Sequence, residues 1–319
     1  MNRDLLVRRA NIIQSVREFF ISAGFLEVDT PILSPCVIPE PTIELFETDT
    51  HGLEARHLYL LPSPELWMKR LLADGSGNIF QIARCFRKGE ESLPIHSREF
   101  LMLEWYEVDA DYYDAISTVE NLLNHVLNGM SVRHLMPPSR RLLVQDAFLE
   151  LAGVDLCACG SVDSLAEEAK RLGLQPPRGE SWDELYHRIF VGVIEEKLPK
   201  DKPLILEDYP RSIACLAKPK GRTMWRERWE LYLDGIEIAN CYSELIDYDG
   251  VTELFAAESQ KLLELGRRHQ IDRSFPEIYQ KDHPRCTGTA LGLDRLIMLL
   301  LGKQSIAEIQ PFNPPWRMP

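Results

Sequence analysis

Charged side chains cluster between residues 81 and 106, where two predicted strands flank a polar loop. Arg84, Arg87 and Lys88 come at the end of the first strand, and His96 follows on the loop. Converging arginine and lysine side chains bind anions, because their donors match the oxygens of phosphate groups. The same charges are also typical of a solvated hairpin tip, which composition alone favours. An anion site and a surface loop therefore both stay open.

Carboxylates also occur inside the apolar stretch 229–247. Glu237, Asn240 and Glu244 are spaced by three and four residues in this stretch. On an exposed helix these acids would be ordinary surface charge. Buried carboxylates need a compensating cation. The segment therefore predicts a nearby metal ion, ammonium ligand or arginine.

The third candidate is the glycine-containing segment 288–295. Gly288 and Gly292 leave room for a ligand, and Arg295 enters a helix that is otherwise apolar. This arginine either contacts a ligand or forms a salt bridge with Asp294. The P-loop, the Rossmann glycine pattern and the G-x-S-x-G pattern are absent from the sequence, so the common nucleotide-binding and hydrolase signatures are missing. Zinc-ligand pairs of useful spacing are absent as well.

The elements around these candidates predict an α+β domain on a mostly antiparallel sheet, because strands and helices do not alternate regularly. Gly24 ends the first helix, and Ser63 is the predicted N-cap of the second. The predicted helices cover about 5–20, 64–72, 112–126, 250–270 and 292–302, and the predicted strands 58–61, 77–86, 100–108, 203–206, 229–238 and 286–291.

A helical insertion is predicted over about 136–200. Helical patterns lie around 142–151, 162–172 and 182–198, and proline pairs separate them. The insertion has no predicted role beyond packing around the sheet, although docking of an acceptor is possible.

Composition indicates a folded protein outside the nucleic-acid-binding classes. The chain has 319 residues, of which 45% are hydrophobic and 27% are charged, so neither a disordered nor a fibrous class fits. With 36 basic and 49 acidic residues, the net charge of −13 opposes binding to nucleic acid. The longest apolar run, 296–301, is too short for a membrane span, and there is no secretory signal. A cytoplasmic location without membrane contact is expected.

Three segments of the sequence resemble, in order, the three motifs of class II aminoacyl-tRNA synthetases, and the first and third candidates coincide with two of them. Residues 24–33 resemble motif 1, residues 85–100 motif 2 and residues 288–295 motif 3. The resemblance covers nearly the whole chain. It implies the class II catalytic fold and a homodimer formed through motif 1.

Within that class, residues 63–69, 99–106 and 235–245 resemble the lysyl branch. Motif 1 begins almost at the N-terminus, which leaves no room for an OB-fold anticodon-binding domain, so one catalytic domain is expected over 1–319. Ala290 stands where lysyl-tRNA synthetases carry glycine. Both features resemble the elongation factor P lysine ligase family, a paralogue of the lysyl-tRNA synthetases.

This resemblance implies residues that bind ATP and Mg²⁺. Arg87 would hold the α-phosphate, Arg295 would lie by adenine and the γ-phosphate, and both are the implied catalytic residues. Phe100 would stack on adenine. The motif 2 loop departs from the family in carrying Ser97 where asparagine is usual, and in being one residue longer, so that Glu90 and Glu91 compete for one role. The implied ATP contacts are Arg87, Glu90, His96, Ser97, Phe100, Glu237, Ile238, Gly292 and Arg295, and the implied metal ligands are Glu237 and Glu244.

The implied amino-acid pocket contains two carboxylates, which suit a ligand with two ammonium groups such as lysine or (R)-β-lysine. The methyl group of Ala290 would favour an amino group displaced by one carbon. The implied pocket residues are Ser63, Pro64, Glu65, Tyr106, Asn240, Glu244 and Ala290.

The resemblance thus implies an ATP-dependent ligase. It would activate the amino acid as an adenylate and transfer it to the ε-amine of a lysine on elongation factor P, with tRNA not expected as a partner. The alternative is a truncated lysyl-tRNA synthetase-like enzyme that acts on tRNA or makes free products. An inactive paralogue is disfavoured, because Arg87, Glu237, Glu244 and Arg295 are all present.

Overall fold

The computed structural model describes residues 3–49, 57–89, 93–130, 132–280 and 282–312. Within these residues the helices are α1 (Arg3–Ser22), α2 (Glu65–Ala73), α3 (Tyr112–Leu127), α4 (Val144–Ala152), α5 (Val162–Arg171), α6 (Trp182–Ile189), α7 (Tyr248–Glu264) and α8 (Leu293–Leu300). The strands are β1 (Leu26–Glu27), β2 (Leu33–Ser34), β3 (Phe46–Asp49), β4 (His57–Leu60), β5 (Ile79–Phe86), β6 (Glu99–Val108), β7 (Arg140–Leu143), β8 (Leu204–Pro210), β9 (Trp225–Leu233), β10 (Ile236–Ser243) and β11 (Cys286–Gly292).

One large sheet dominates the fold, with strand order β1-β5-β6-β11-β10-β9-β8-β7. Its neighbouring strands are antiparallel except at the two ends, where β1 joins β5 and β7 joins β8 in parallel. A small antiparallel sheet has the order β2-β4-β3. The predicted α+β class with a mostly antiparallel sheet is confirmed.

The main core lies between this sheet and the helices α1, α3 and α8. Helix α1 buries Ile12, Val16 and Phe20, which are four residues apart and therefore share one face. The Phe20 ring stacks on Phe80 with centroids 4.9 Å apart and lies 5.2 Å from Trp105. A buried phenylalanine of this kind contributes about 3 kcal/mol to stability.

An ion pair ties α1 to the start of α8. The guanidinium of Arg9 donates to Asp294 at 2.9 Å, and the backbone N–H of Leu101 donates to the other carboxylate oxygen at 2.9 Å. Asp294 is 1% exposed, so this pair fixes α8 against β6 in a water-poor setting. Asp294 therefore pairs with Arg9 and not with Arg295, which settles the alternative left open by the sequence.

The insertion is helical but also adds a strand to the main sheet. Its helices α4, α5 and α6 enclose a second core around Phe148, Leu165 and Tyr186. Residues 140–143, part of which the apolar pattern predicted as helix, form β7 and pair with β8 from Arg140↔Leu204 to Leu143↔Glu207. Four residues are too few to distinguish the periodicity of a helix from that of a strand. Because the edge of β8 is free to pair, these residues form a strand.

The predicted strand over 229–238 is in fact parts of two strands, β9 and β10. They form a hairpin whose turn residues Asp234 and Gly235 have φ of +52° and +76°. An Asp-Gly pair with two positive φ angles is typical of tight hairpin turns. The Asp-Gly pair at 234–235 is therefore the local sequence signal that divides this segment into two strands.

Candidate active site

An arginine-lined cavity of about 190 Å³, here called the arginine cavity, opens on one face of the central strands. Its walls come from the end of β5, the loop that follows, β6, β10 and the start of α8. The predicted ATP residues that line it are Arg87, His96, Ser97, Phe100, Glu237, Ile238, Gly292 and Arg295. Glu90, predicted with them, and its competitor Glu91 lie outside the described residues.

Arg87 directly follows β5, and its position is fixed by the return strand. Its backbone N–H donates to the carbonyl of Arg98 at 3.0 Å, which closes the base of the loop. The guanidinium carbon lies 5.4 Å from the ring centroid of Phe100, within cation–π range. A planar cation and an aromatic face thus stand side by side at the cavity wall.

Arg295, in the first turn of α8, joins two other walls of the cavity. Its Nη1 donates to the carbonyl of Glu237 at 2.9 Å, and its Nε donates to the carbonyl of Ile95 at 3.2 Å. These bonds hold the loop against β10. The arginine cavity therefore combines cations, which suit phosphate groups, with an aromatic ring, which suits a base. This arrangement fits a nucleoside triphosphate.

A second cavity of about 100 Å³, here called the carboxylate cavity, adjoins the first. Arg87, Met102, Asn240 and Ala290 line both cavities. The acidic residues that line the second are Glu40, Glu65, Glu104 and Glu244. An anion site and a cation site thus share one wall.

Strand register builds the floor of the carboxylate cavity. Across β6, β11 and β10, Glu104 faces Ala290, which faces Asn240. Two residues along, Tyr106, Gly288 and Tyr242 form the next row. Because side chains alternate between the faces of a sheet, both rows point to the same side.

Gly288 is required by close packing. A Cβ atom at this position would lie 2.4 Å from Oε1 of Glu244 and 2.6 Å from Cε1 of Tyr106. Such distances are far inside van der Waals contact. Only glycine allows these two side chains to meet over the strand.

Lys69, fully buried on α2, bridges two of the acids. Its Nζ lies 2.5 Å from Glu65 Oε1 and 2.6 Å from Glu244 Oε2. Burial alone would lower the pKa of Lys69, but Glu244 and Glu65 outweigh it and raise that pKa well above its usual range. Burial also raises the pKa of Glu244 to about 7, although Lys69 opposes the shift. A resident cation therefore neutralises part of the cavity.

Glu104 keeps an unused acceptor. The Tyr106 hydroxyl donates to its Oε1 at 2.7 Å, whereas its Oε2 is buried without a partner among the described residues, as is Oδ1 of Asn240. Burial, followed by the nearby charge of Glu65, raises the pKa of Glu104 to about 8. Two buried acceptors without donors are an arrangement that a ligand with N–H groups would complete.

The predicted amino-acid residues come together with one exception. Ser63, Glu65, Tyr106, Asn240, Glu244 and Ala290 all line the carboxylate cavity. Pro64 does not line it and is instead the N-cap of α2, without a side-chain cap. The predicted N-cap role of Ser63 is therefore wrong, because the helix starts one residue later and the serine is left at the cavity.

Four charged or aromatic residues that line or bridge the carboxylate cavity are not among the predicted site residues: Glu40, Lys69, Glu104 and Tyr242. Lys69 follows Glu65 by four residues, the spacing of a helical ion pair, and this signal could have identified it. Glu104 and Tyr242 share faces with Tyr106 and Asn240 at intervals of two, which strand periodicity could have identified. Glu40 gives no such signal, since it lies in a loop.

The two predicted metal ligands occupy different cavities. Glu237 lines the arginine cavity, and its carboxylate is 3.9 Å from Arg295 Nη1. Glu244 contacts Lys69 in the carboxylate cavity. Across the described ranges no three His, Cys, Asp or Glu side chains gather as a metal cluster. Glu237 fits a Mg²⁺ ion that takes its other ligands from phosphates and water, whereas Glu244 does not fit one.

A larger cavity of about 450 Å³ lies between α7 and residues 267–273. It shares no lining residue with the other two cavities and contains none of the predicted site residues. The volume of a cavity alone therefore does not identify the candidate active site of this protein.

In the part of the chain that the structure describes, no helix is both long and apolar enough to cross a membrane.

Comparison with known proteins identifies the family of this chain. The family model described as tRNA synthetases class II (D, K and N) matches residues 1–315. The chain belongs to this class II synthetase family. The predicted class II fold is thereby confirmed, and the sheet of eight strands carries motif 2 on β5 and β6 and motif 3 on β11 and α8.

Curated relatives of this class II protein share most of its length. An "Elongation factor P--(R)-beta-lysine ligase" of Avibacterium paragallinarum is 37% identical over 313 residues, covering 97% of this chain and 94% of the relative. Proteins of the same name from Vibrio vulnificus (strain YJ016) and Vibrio atlanticus (strain LGP32) are 38% and 36% identical over 316 residues, each match covering 96% of this chain and 94% of the relative. The predicted resemblance to these ligases, and with it the assignment of the chain to the ligases, is confirmed.

Proposed function

We propose that this protein activates (R)-β-lysine or lysine with ATP and transfers it to the ε-amine of a lysine on elongation factor P, in the cytoplasm. The observation that carries the proposal is the shared wall between an arginine-lined and an acid-lined cavity. An amino acid with two ammonium groups fits the second cavity. Its carboxylate then faces Arg87, where the α-phosphate of ATP would lie.

The first half-reaction joins two anions, the carboxylate of the amino acid and the α-phosphate of ATP. Arg87 lowers their repulsion, since its guanidinium lines both cavities and stabilises charge on the transferring phosphoryl group. Phe100 stacks on adenine, and Arg295 holds the nucleotide from the opposite wall. The other proposed nucleotide contacts are His96, Ser97, Ile238, Gly292 and Glu90.

Glu237 is the residue that we propose for Mg²⁺. When bound, the ion would neutralise charge on the departing pyrophosphate. Arg87 and Arg295 lie on the same cavity and supply fixed positive charge at its walls. Hydrogen bonds to two backbone carbonyls hold the guanidinium of Arg295, and the guanidinium of Arg87 lies against the ring of Phe100.

The carboxylate cavity selects the amino acid by charge. Glu65 and Glu244 both lie within ion-pair distance of Lys69, so one resident cation serves two carboxyl groups. Glu104 adds a carboxyl group with a free buried oxygen, which would accept from a second ammonium group. An amino acid with an apolar side chain would leave these acceptors unpaired and pay the desolvation cost.

A transfer experiment tests this function. The purified protein is incubated with ATP and radiolabelled lysine or (R)-β-lysine, in the presence of either elongation factor P or tRNA. We expect label on elongation factor P and none on tRNA, and we expect Arg87→Ala to abolish the transfer. Label on tRNA alone would support the alternative, a truncated lysyl-tRNA synthetase-like enzyme.

The proposed active form is a dimer. Large apolar side chains around motif 1 are exposed by about two-fifths or more: Leu6, Val7, Leu26, Ile32 and Leu33. Exposed apolar clusters of this kind mark interaction surfaces, and a second copy of the chain would cover this one. Sedimentation equilibrium should give the mass of two chains, and Leu33→Glu should shift it towards one.

A further inference from the structure

A basic segment, residues 211–228, joins β8 to β9 and includes the start of β9. It contains six arginine or lysine residues and one acid, so its net charge is +5 in a chain whose total is −13. The rest of the chain therefore carries −18. Positive charge gathered in one segment of an acidic protein attracts anionic groups to that place. The basic residues of the segment are Arg211, Lys218, Lys220, Arg222, Arg226 and Arg228.

Hydrogen bonds to backbone carbonyls hold the basic segment in one shape. The guanidinium of Arg226 donates to the carbonyl of Ile213 at 3.1 Å and to that of Ala217 at 2.6 Å. The backbone N–H of Lys218 donates to the carbonyl of Ser243 at 2.9 Å, which ties the segment to the end of β10. The charged side chains of the segment therefore extend from a backbone that the fold fixes.

Two ion pairs of the segment place their acids below the surface and their lysines at it. Lys220 pairs with Asp208 at 2.6 Å, and Lys218 pairs with Glu227 at 3.2 Å. The side chains of Lys220 and Lys218 are 34% and 47% exposed. Those of Asp208 and Glu227 are only 10% and 16% exposed. An approaching molecule therefore meets the ammonium groups first.

Arg211 and Arg222 are exposed and carry charges that the protein does not balance locally. Neither side chain has an ion pair or a hydrogen bond in the part of the chain that the structure describes. A guanidinium group binds a carboxylate through two parallel hydrogen bonds. These two arginines are therefore available for carboxylates of another molecule.

An exposed aromatic ring adjoins these cations. Tyr113, in the first turn of α3, is 40% exposed. Nζ of Lys220 lies 5.6 Å from the centre of this ring and donates to its hydroxyl at 3.2 Å, and the guanidinium carbon of Arg141 lies 4.9 Å from the ring centre. Tyrosine and arginine are enriched among the residues that carry the binding energy of protein interfaces. The surface formed by these side chains is here called the basic patch: Tyr113, Arg141, Arg211, Lys218, Lys220 and Arg222.

The basic patch begins close to the two cavities. Asn240 lines both of them, and Ser243, which holds Lys218, is three residues further along β10, or about 10 Å at the rise of a strand. A standard protein interface buries about 800 Å² on each partner, which is a disc about 30 Å across. A protein that presents a lysine to the cavities is therefore large enough to contact the basic patch, whereas a free amino acid is too small.

Building on the proposed function, we propose that the basic patch is the docking surface for an acidic face of the protein that accepts the amino acid. Carboxylates of the acceptor bind Arg211 and Arg222, and its surface packs on Tyr113. Docking attracts and orients the acceptor, and the reaction itself takes place at the cavities.

The charge distribution favours a protein over nucleic acid as the partner. Duplex nucleic acid carries one negative charge about every 1.7 Å along its axis. A duplex on the basic patch would continue over neighbouring surface of a chain that carries −18 outside the basic segment, and it would be repelled there. A folded protein can confine its acidic groups to the area of the patch.

Reversal of the two unpaired arginine charges tests the docking surface. In the variant Arg211→Glu/Arg222→Glu, the KM for elongation factor P in the transfer reaction should rise by about tenfold or more, because like charges then face each other. The kcat of transfer and the ATP–pyrophosphate exchange with (R)-β-lysine should stay near the wild-type values, since neither arginine lines a cavity. Arg211→Lys/Arg222→Lys keeps the charge and should keep most of the affinity.

A matched control makes the same change of net charge elsewhere. Arg133→Glu/Arg178→Glu also replaces two exposed arginines, one beyond the C-terminal end of α3 and one between α5 and α6. This variant should have the wild-type KM for elongation factor P. Raising the salt concentration should raise the wild-type KM and reduce its difference from the Arg211→Glu/Arg222→Glu variant, because salt screens exposed charges.

The outcomes separate the docking surface from the function on which it rests. Wild-type protein without transfer to elongation factor P would remove both proposals. Wild-type transfer with the same KM in Arg211→Glu/Arg222→Glu and in the control would overturn only the docking surface. An equal loss of exchange and transfer would also overturn it, because the arginines would then support the fold. Binding of tRNA that Arg211→Glu/Arg222→Glu abolishes, with transfer to the protein unchanged, would make the patch a nucleic-acid site instead.

Discussion

Binding of a lysine-type ligand should release a proton from Glu104. In the free protein, burial and Glu65 raise the pKa of Glu104 to about 8, so this carboxyl group is mostly protonated at pH 7. An ammonium group placed against its unpartnered Oε2 favours the ionised form and lowers that pKa. The proton must then leave, because ligand and proton compete for the same oxygen atoms.

The size of the effect follows from the pKa. At pH 7 a carboxyl group with a pKa of about 8 is ionised in roughly one molecule in eleven, so about 0.9 proton is released on binding. Ionising it at that pH costs about 1.4 kcal/mol. The affinity should therefore increase with pH, by about 50-fold between pH 6 and pH 8, if the bound pKa lies well below 6.

Calorimetry in phosphate and in Tris buffer measures the released proton, because the two buffers have different ionisation enthalpies. Titration with lysine or (R)-β-lysine should give a buffer-dependent heat in the wild-type protein and a much smaller dependence in Glu104→Gln. Glu107→Gln is the control on the same strand, since burial also raises the pKa of Glu107 but its partners are Trp105 and Thr118. Equal heats in both buffers and a constant affinity from pH 6 to 8 would refute the reasoning.

Three other substitutions have defined outcomes. Gly288→Ala should lower lysine affinity by about 100-fold, because the added Cβ would lie 2.4 Å from the Glu244 side chain. ATP binding, measured by calorimetry, should persist. Unchanged lysine affinity would contradict this account of the cavity. Ala290→Gly should shift pyrophosphate exchange from (R)-β-lysine towards α-lysine, and an unchanged ratio would remove the proposed role of this methyl group. Asp294→Asn should lower the free energy of unfolding, measured in urea, by about 3 kcal/mol, since it leaves Arg9 without its buried charged partner. A loss under about 1 kcal/mol would show that the ion pair between Arg9 and Asp294 does not stabilise the fold to this extent.

The sequence predicted those features that depend on local periodicity. Helix α1 follows from apolar residues four apart, and its end follows from Gly24, whose φ is +83°. The β5–β6 unit follows from two apolar runs around a polar loop. The nucleotide residues predicted on this unit and on motif 3 line one cavity wherever they lie among the described residues.

Features that depend on tertiary contacts could not be predicted from local sequence patterns. β7 forms because β8 offers a free edge, and no local pattern records that edge. Glu244 was predicted with Glu237 as a metal ligand, but the fold brings Lys69 from α2 to within 2.6 Å of it. Glu40 reaches the cavity through a loop held by Arg267, a residue more than two hundred positions away in the chain.

The two ends of the large sheet have a consequence for how this protein avoids aggregation. Edge strands expose backbone donors and acceptors that can recruit strands of other chains. Here one edge is β1, only two residues long, and the other is β7, four residues long with Arg140 and Arg141 each about half exposed. Short and charged edge strands offer a strand of another chain few backbone groups to pair with. Copies of this chain should therefore associate through the exposed apolar side chains around motif 1 and not by continuing the sheet.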